Sequence, residues 1–87
     1  MLYRRWPHWW DFRLAFTPHS LERMTERTIS EVEVRMALDD CDELVGQHGR
    51  STWIARSILE GKPWTFIVKP DLETSRLLVV TMYPSAK

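Results

Sequence analysis

Two helix starts lie between Thr17 and Ser30, in the run TPHSLERMTERTIS. Thr17 carries the hydroxyl of an N-cap, and Pro18 falls at the first helical position, where a missing N–H breaks no bond. Further on, Ser30 and Glu33 form an S-x-x-E capping box, with Ile29 and Val34 in the two positions of a hydrophobic staple. These signals predict one helix over 18–26 and a second that begins after Ser30. Acidic residues crowd positions 39–43 and oppose the dipole of that second helix, so it should stop near Asp39 or Asp40. Leu21 and Met24 are expected to point to a core from the first helix; Val34, Ala37, Leu38 and Cys41 form the apolar stripe of the second.

Around the helices the pattern is extended. Phe12, Leu14 and Phe16 alternate with Arg13 and Ala15, the period of a half-buried strand. Beyond the second helix, strands are expected over 43–47, 51–59 (STWIARSIL), 64–69 (WTFIVK) and 76–83 (RLLVVTMY). Gly46 and Gly49 mark bends around His48. Gly61-Lys62-Pro63 is turn chemistry that makes a hairpin, and a second turn spans 70–75. The unbroken apolar run Leu77 to Val80 implies a central strand buried on both faces. The expected fold class is α+β, in the order β-α-α-β-β-β-β, with both N-terminal helices on one face of a mostly antiparallel sheet. Residues 12–87 then form a single domain. Residues 1–11 form a Trp-rich N-terminal arm whose indoles need cover from the domain or from a partner, so the arm could also mediate homo-oligomerisation.

At 87 residues and 44% hydrophobic content the chain is long enough for one core and too apolar for disorder. Net charge is zero, yet residues 31–43 carry −5 and the remainder +5. Nine of the twelve basic side chains are arginine, the cation suited to phosphate or carboxylate. That division suits a protein with two different partners, or a solvated helix face. The lone Cys41 permits no internal disulfide and fits a reducing cytoplasm. No apolar run approaches the ~20 residues that span a bilayer. The N-terminus lacks the apolar core of a signal peptide, so a cytoplasmic location is expected. His8, His48 and Cys41 match no zinc spacing, and the glycines form no phosphate loop; neither metal nor cofactor is expected.

The chemistry is concentrated on the first helix. His19, Arg23 and Arg27 recur at i, i+4 and i+8, along one face. The positive end of the helix dipole favours the neutral imidazole at His19, the form a general base requires. The same three side chains could instead cap the helix and pair with nearby acids. Arg56 lies between Ile54 and Ile58 on one strand face, an unusual place for a charge unless the side chain reaches out at the sheet edge. Trp53 and Trp64 can serve as core or as stacking platforms.

The pieces Phe16-Thr17-Pro18-His19, Glu22-Arg23-Met24, Glu26-Arg27-Thr28-Ile29-Ser30, Trp53-Ile54-Ala55-Arg56, Gly61-Lys62-Pro63 and Val80-Thr81-Met82-Tyr83-Pro84 resemble a family of small bacterial and phage domains of unknown function. The similarity spans roughly residues 13–84. That family in turn resembles the RelE and BrnT toxins, small ribonucleases of toxin–antitoxin pairs. The resemblance implies a RelE-like fold, metal-independent RNA cleavage by acid/base chemistry, and an antitoxin protein as partner. Carried over, His19 would be the base or acid, and Arg23 and Arg27 would clamp phosphate. Arg56 and Tyr83 would complete the catalytic set, with Arg50, Trp53 and Thr81 contacting RNA. The neutral charge departs from the basic character of such toxins, and the Trp-rich arm has no counterpart in them. A non-enzymatic interaction module on the same fold is the alternative, and RNA binding without cleavage a third.

Overall fold

A computed structural model describes residues 7–47 and 49–85; Trp6 and His48 lie outside them. In chain order come a 3-10 turn at His8–Asp11, β1 (Arg13–Phe16), α1 (Pro18–Arg27), α2 (Glu31–Asp39), β2 (Glu43–Gly46), β3 (Trp53–Leu59), β4 (Lys62–Asp71) and β5 (Arg76–Pro84). The fold is α+β. Its strands make a five-stranded mixed sheet in the order β1-β5-β4-β3-β2. β1 runs parallel to β5, and all other neighbours are antiparallel. Among the described residues no helix is long and apolar enough to cross a membrane.

Both helix starts form as their sequences dictate. The Ser20 N–H donates to the Thr17 hydroxyl over 3.2 Å. In α2 the Glu33 N–H donates to the Ser30 hydroxyl at 3.1 Å, and the Ser30 N–H donates to the Glu33 carboxylate at 2.8 Å. Two orphan donors are thus satisfied reciprocally. Ile29 and Val34 are both buried, as a staple requires. Between the helices Thr28 takes a left-handed conformation (φ 57°), and the Ile29 N–H closes back on the Met24 carbonyl at 2.8 Å. A glycine usually fills that position, because a β-branched side chain there crowds the backbone. α2 ends at Asp39 with Asp40 as its cap.

Both helices cover the same face of the sheet. The Ser57 hydroxyl on β3 donates to the Ala37 carbonyl on α2 at 2.6 Å, and the hydroxyls of Thr17 and Ser20 reach β5. Val34, Leu38, Phe66, Val68, Leu77 and Val79 are fully buried between the layers. Each such side chain contributes about 1.5–3 kcal/mol relative to exposure. Among the described residues no helix lies over the opposite face.

That one-sided cover corrects two sequence expectations. β5 is not buried on both faces: Leu77 and Val79 are buried, whereas Leu78 and Val80 are only half-buried. β5 lies between β1 and β4, and the central strand is β4. Leu21 does not point to the core and is 49% exposed, because Ser20 and Met24 occupy the inward direction of α1. The turns also shift. Glu60 (φ 54°) and Gly61 (φ 76°) alone connect β3 to β4, with Leu59 opposite Lys62. Two successive positive φ values define the type I′ hairpin, whose twist matches the strands, so Lys62 and Pro63 already belong to β4. β4 likewise continues through Pro70 to Asp71, which leaves 72–75 as the turn.

Trp9 and Trp10 are 8% and 4% exposed and join the core. The Trp9 ring lies 5.3 Å from that of Trp53. Arg35 on α2 ties this segment down by donating to the Trp10 carbonyl, with Asp11 and Asp39 4.0 and 3.6 Å away. We therefore expect Trp9→Ala and Trp10→Ala each to cost about 3–5 kcal/mol in denaturant unfolding. Thr28→Gly should raise stability by about 1 kcal/mol by relieving the left-handed strain; an unchanged denaturation midpoint would contradict that conformation.

Candidate functional site

α1 begins where β1 stops. Phe16 is the last residue of β1 in register with β5, opposite Val79. Past that point the Thr17 N–H still donates to the Val79 carbonyl at 3.3 Å, and two side chains add to it. The Thr17 hydroxyl donates to the Val80 carbonyl at 2.6 Å and the Ser20 hydroxyl to the Val79 carbonyl at 2.9 Å. The helix start is thereby pinned to the sheet, and His19, between the two anchors, is exposed.

The basic stripe exists but spirals. Four residues of α-helix turn about 40° beyond a full circle, so a row at i, i+4 and i+8 drifts around the helix. His19 faces solvent, Arg23 is half-buried, and Arg27 reaches the rim of the core. There its guanidinium lies over the Trp64 ring, 5.5 Å from the centroid. Neither Arg23 nor Arg27 has a carboxylate within 4.0 Å among the described residues; the arginines that do are Arg35 and Arg56. His19 lines a shallow hollow with Pro18, Leu21, Glu22 and Thr25, and neither arginine of the stripe lines it.

The other candidate side chains stand elsewhere. Arg56, Thr65 and Tyr83 are register partners across β3, β4 and β5, so they share one face. Their chain neighbours Ala55, Phe66 and Met82 are fully buried under the helices. Arg56 and Tyr83 therefore occupy the helix-free face, with the sheet between them and the Arg27–Trp64 contact. Arg56 is paired with Glu43 at 3.4 Å. Thr81 is half-buried opposite Ile67 on β4. Arg50 is exposed in the turn after β2, where its N–H donates to the Gln47 carbonyl. Trp53 packs against Trp9 on one side, and a Cβ placed on Gly46 would lie 3.4 Å from its ring. α1 thus gathers His19, Arg23 and Arg27 on one element but does not bring them to Arg56 and Tyr83.

Sequence reasoning passed over one feature. On the helix-free face Lys69 and Arg76 flank a hollow at the β4–β5 turn, floored by Ala15 and Leu78. The only linear trace of it is a cation on either side of a turn, a pattern shared by many surface hairpins.

The fold and the α1 stripe define a small α+β domain whose distinctive polar groups sit on its first helix. The chain belongs to the family described as a domain of unknown function (DUF4258), whose model matches residues 16–84. No curated protein and no solved structure matches the chain. The match begins at the end of β1, so the Trp9–Trp10 segment lies outside the matched residues.

Arg27→Ala should remove the cation from the Trp64 ring, with a loss of about 0.5–1 kcal/mol at this exposed position. A change in tryptophan emission together with a lowered unfolding midpoint would report it, and Arg23→Ala should leave the emission unchanged.

Proposed function

We propose that this domain is a ribonuclease toxin of a toxin–antitoxin pair, with a RelE/BrnT-like fold and α1 as its RNA-facing element. The observation that carries this reading is the pair Arg23 and Arg27, which have no carboxylate within 4.0 Å among the described residues and share a helix with an exposed His19. An arginine with no nearby carboxylate is available to a phosphate, and an exposed imidazole is within reach of a bound ribose. In the proposed reaction His19 takes the proton of a ribose 2′-hydroxyl. The 2′-oxygen attacks the adjacent phosphorus, and the bond to the 5′-oxygen breaks. That oxygen takes a proton from solvent, and a 2′,3′-cyclic phosphate remains. Arg23, one turn from His19, holds the phosphate as charge builds on its oxygens. Arg27, steadied on Trp64, extends the cationic track along the backbone. Arg56, tied to Glu43, and Tyr83 on the far face stand outside this centre. An antitoxin would be the second partner, acting in the cytoplasm.

The purified protein should cut RNA, and its expression should slow growth. His19→Ala should lower cleavage by about 10²–10⁴-fold without shifting the thermal midpoint. The double change Arg23→Gln, Arg27→Gln should weaken single-stranded RNA binding and flatten its log–log salt dependence by about 1.4. Intact RNA and unaffected growth with the unaltered protein would overturn the proposal.

A non-enzymatic interaction module is the second reading, favoured by Val45, Ile58 and Tyr83, which are 43%, 55% and 40% exposed on the helix-free face. Trp9 and Trp10 are spent in the protein's own core, so this face, rather than those two indoles, is the contact surface in that reading. Ile58→Asp would then abolish complex formation with the product of a neighbouring gene and leave RNA untouched.

A further inference from the structure

On the helix-free face, the β4–β5 turn and the sheet enclose a hollow of about 540 Å³, within the range of small-ligand sites. Its floor is aliphatic. Ala15 and Leu78 are register partners on β1 and β5, and Pro70 and Leu72 line the side toward the turn. Among the described residues no aromatic ring lines it, so these residues offer a nucleobase nothing to stack on. Lys69, the register partner of Leu78, and Arg76 supply two cations at the rim. Neither has a carboxylate oxygen within 4.0 Å among the described residues.

The nearest acid is already engaged. Asp71 stands opposite Arg76 in register, yet its Oδ1 accepts the N–H groups of Glu73 and Thr74 at 3.1 and 3.4 Å. Bonding to the Thr74 side chain, then to those backbone donors, holds its carboxyl below the ordinary range, with Lys69 adding a smaller pull. Its charge therefore serves the turn. Glu73, also at the rim, carries a negative charge with no such engagement. The four rim charges sum to zero, so selection rests on pairing. Among the described residues Lys69 and Arg76 lack a carboxylate partner, while Asp71 is turned to the N–H groups of the turn. One ligand carboxylate can bridge the two cations, whereas a dianion adds a second charge that the neutral rim does not offset.

The geometry points to a binding site for an aliphatic monocarboxylate, its carboxylate held by Lys69 and Arg76 and its chain lying on Ala15, Leu78 and Leu72. Arginine can grip the carboxylate with two parallel bonds while lysine adds a point charge. The same group could arrive as a free aliphatic acid or as the C-terminal residue of a peptide. This site lies on the face opposite the α1 packing and stands apart from any ribonuclease activity.

An NMR titration of the full-length ¹⁵N-labelled protein tests it, with four probes: hexanoate, a tetrapeptide ending in leucine, the same peptide as its C-terminal amide, and inorganic phosphate. Saturable shifts should appear at the amides of Ala15, Leu78 and residues 69–76 with hexanoate or the peptide acid. The tighter of the two names the source. The amide and phosphate should bind at least about tenfold more weakly, the loss expected when a charge-assisted pair is removed. Arg76→Gln and Lys69→Gln should each weaken binding by a similar factor. Lys69→Gln alters an exposed side chain and keeps the test open if Arg76→Gln fails to fold. The site is disproved if those amides respond to neither acid, if the amide or phosphate binds equally well, or if Lys69→Gln changes nothing.

Discussion

Ser20 is wholly buried, and its hydroxyl donates to the Val79 carbonyl on β5. The Thr17 N–H donates to the same carbonyl at 3.3 Å and the Thr17 hydroxyl to the Val80 carbonyl, so these two residues together close a stretch of strand edge that β1 is too short to cover. An open carbonyl at a buried edge would cost about as much as a lost hydrogen bond. The register between β4 and β5 shifts nearby, at Ile67 and Val68. The helix start, the end of β1 and this irregularity therefore meet at one point. Everything α1 presents, from exposed His19 to Arg27 on Trp64, is oriented by that clamp.

A second anchor lies on α2. Arg35 reaches from α2 to the Trp10 carbonyl, with Asp11 and Asp39 beside it, and holds the 3-10 turn against the core. The cluster of Trp9, Trp10 and Trp53 extends that core to the chain's first described residues. A domain of this size buries a modest fraction of its surface, so two indoles are a large share of its apolar cover. The acids of 31–43 are accordingly more than a solvated face: one of them, Asp39, positions the guanidinium that fastens this segment.

Local rules were legible where both partners of an interaction sit within a few residues. The capping box of Ser30 and Glu33, the N-cap at Thr17 and the halt of α2 at Asp39 all follow from neighbouring groups. The outward turn of Leu21 is not encoded locally, because apolar character alone does not say which side of a helix meets the sheet; buried Ser20 decides it. The Glu60-Gly61 hairpin was masked by Pro63, a turn-former that also fits the first residues of a strand. Leu77 to Val80 looked like a strand buried twice over, but the strand's alternation sends Leu78 toward a face that no helix covers. The candidate site was legible to the same extent. Spacing put His19, Arg23 and Arg27 on one helix, while their separation from Arg56 and Tyr83 depends on strand register.

From its residues alone this chain determined two capped helices, all five of its strands to within two residues at each end, and a cationic row on α1. These depend on bonds and periodicities that span only a few positions. Tertiary packing decided which helix face turned inward, which side of the sheet stayed bare, and that Trp9 and Trp10 belong to the core. Those outcomes turn on contacts between segments distant in sequence, such as Ser20 with Val79 and Trp9 with Trp53, and no local spacing encodes them.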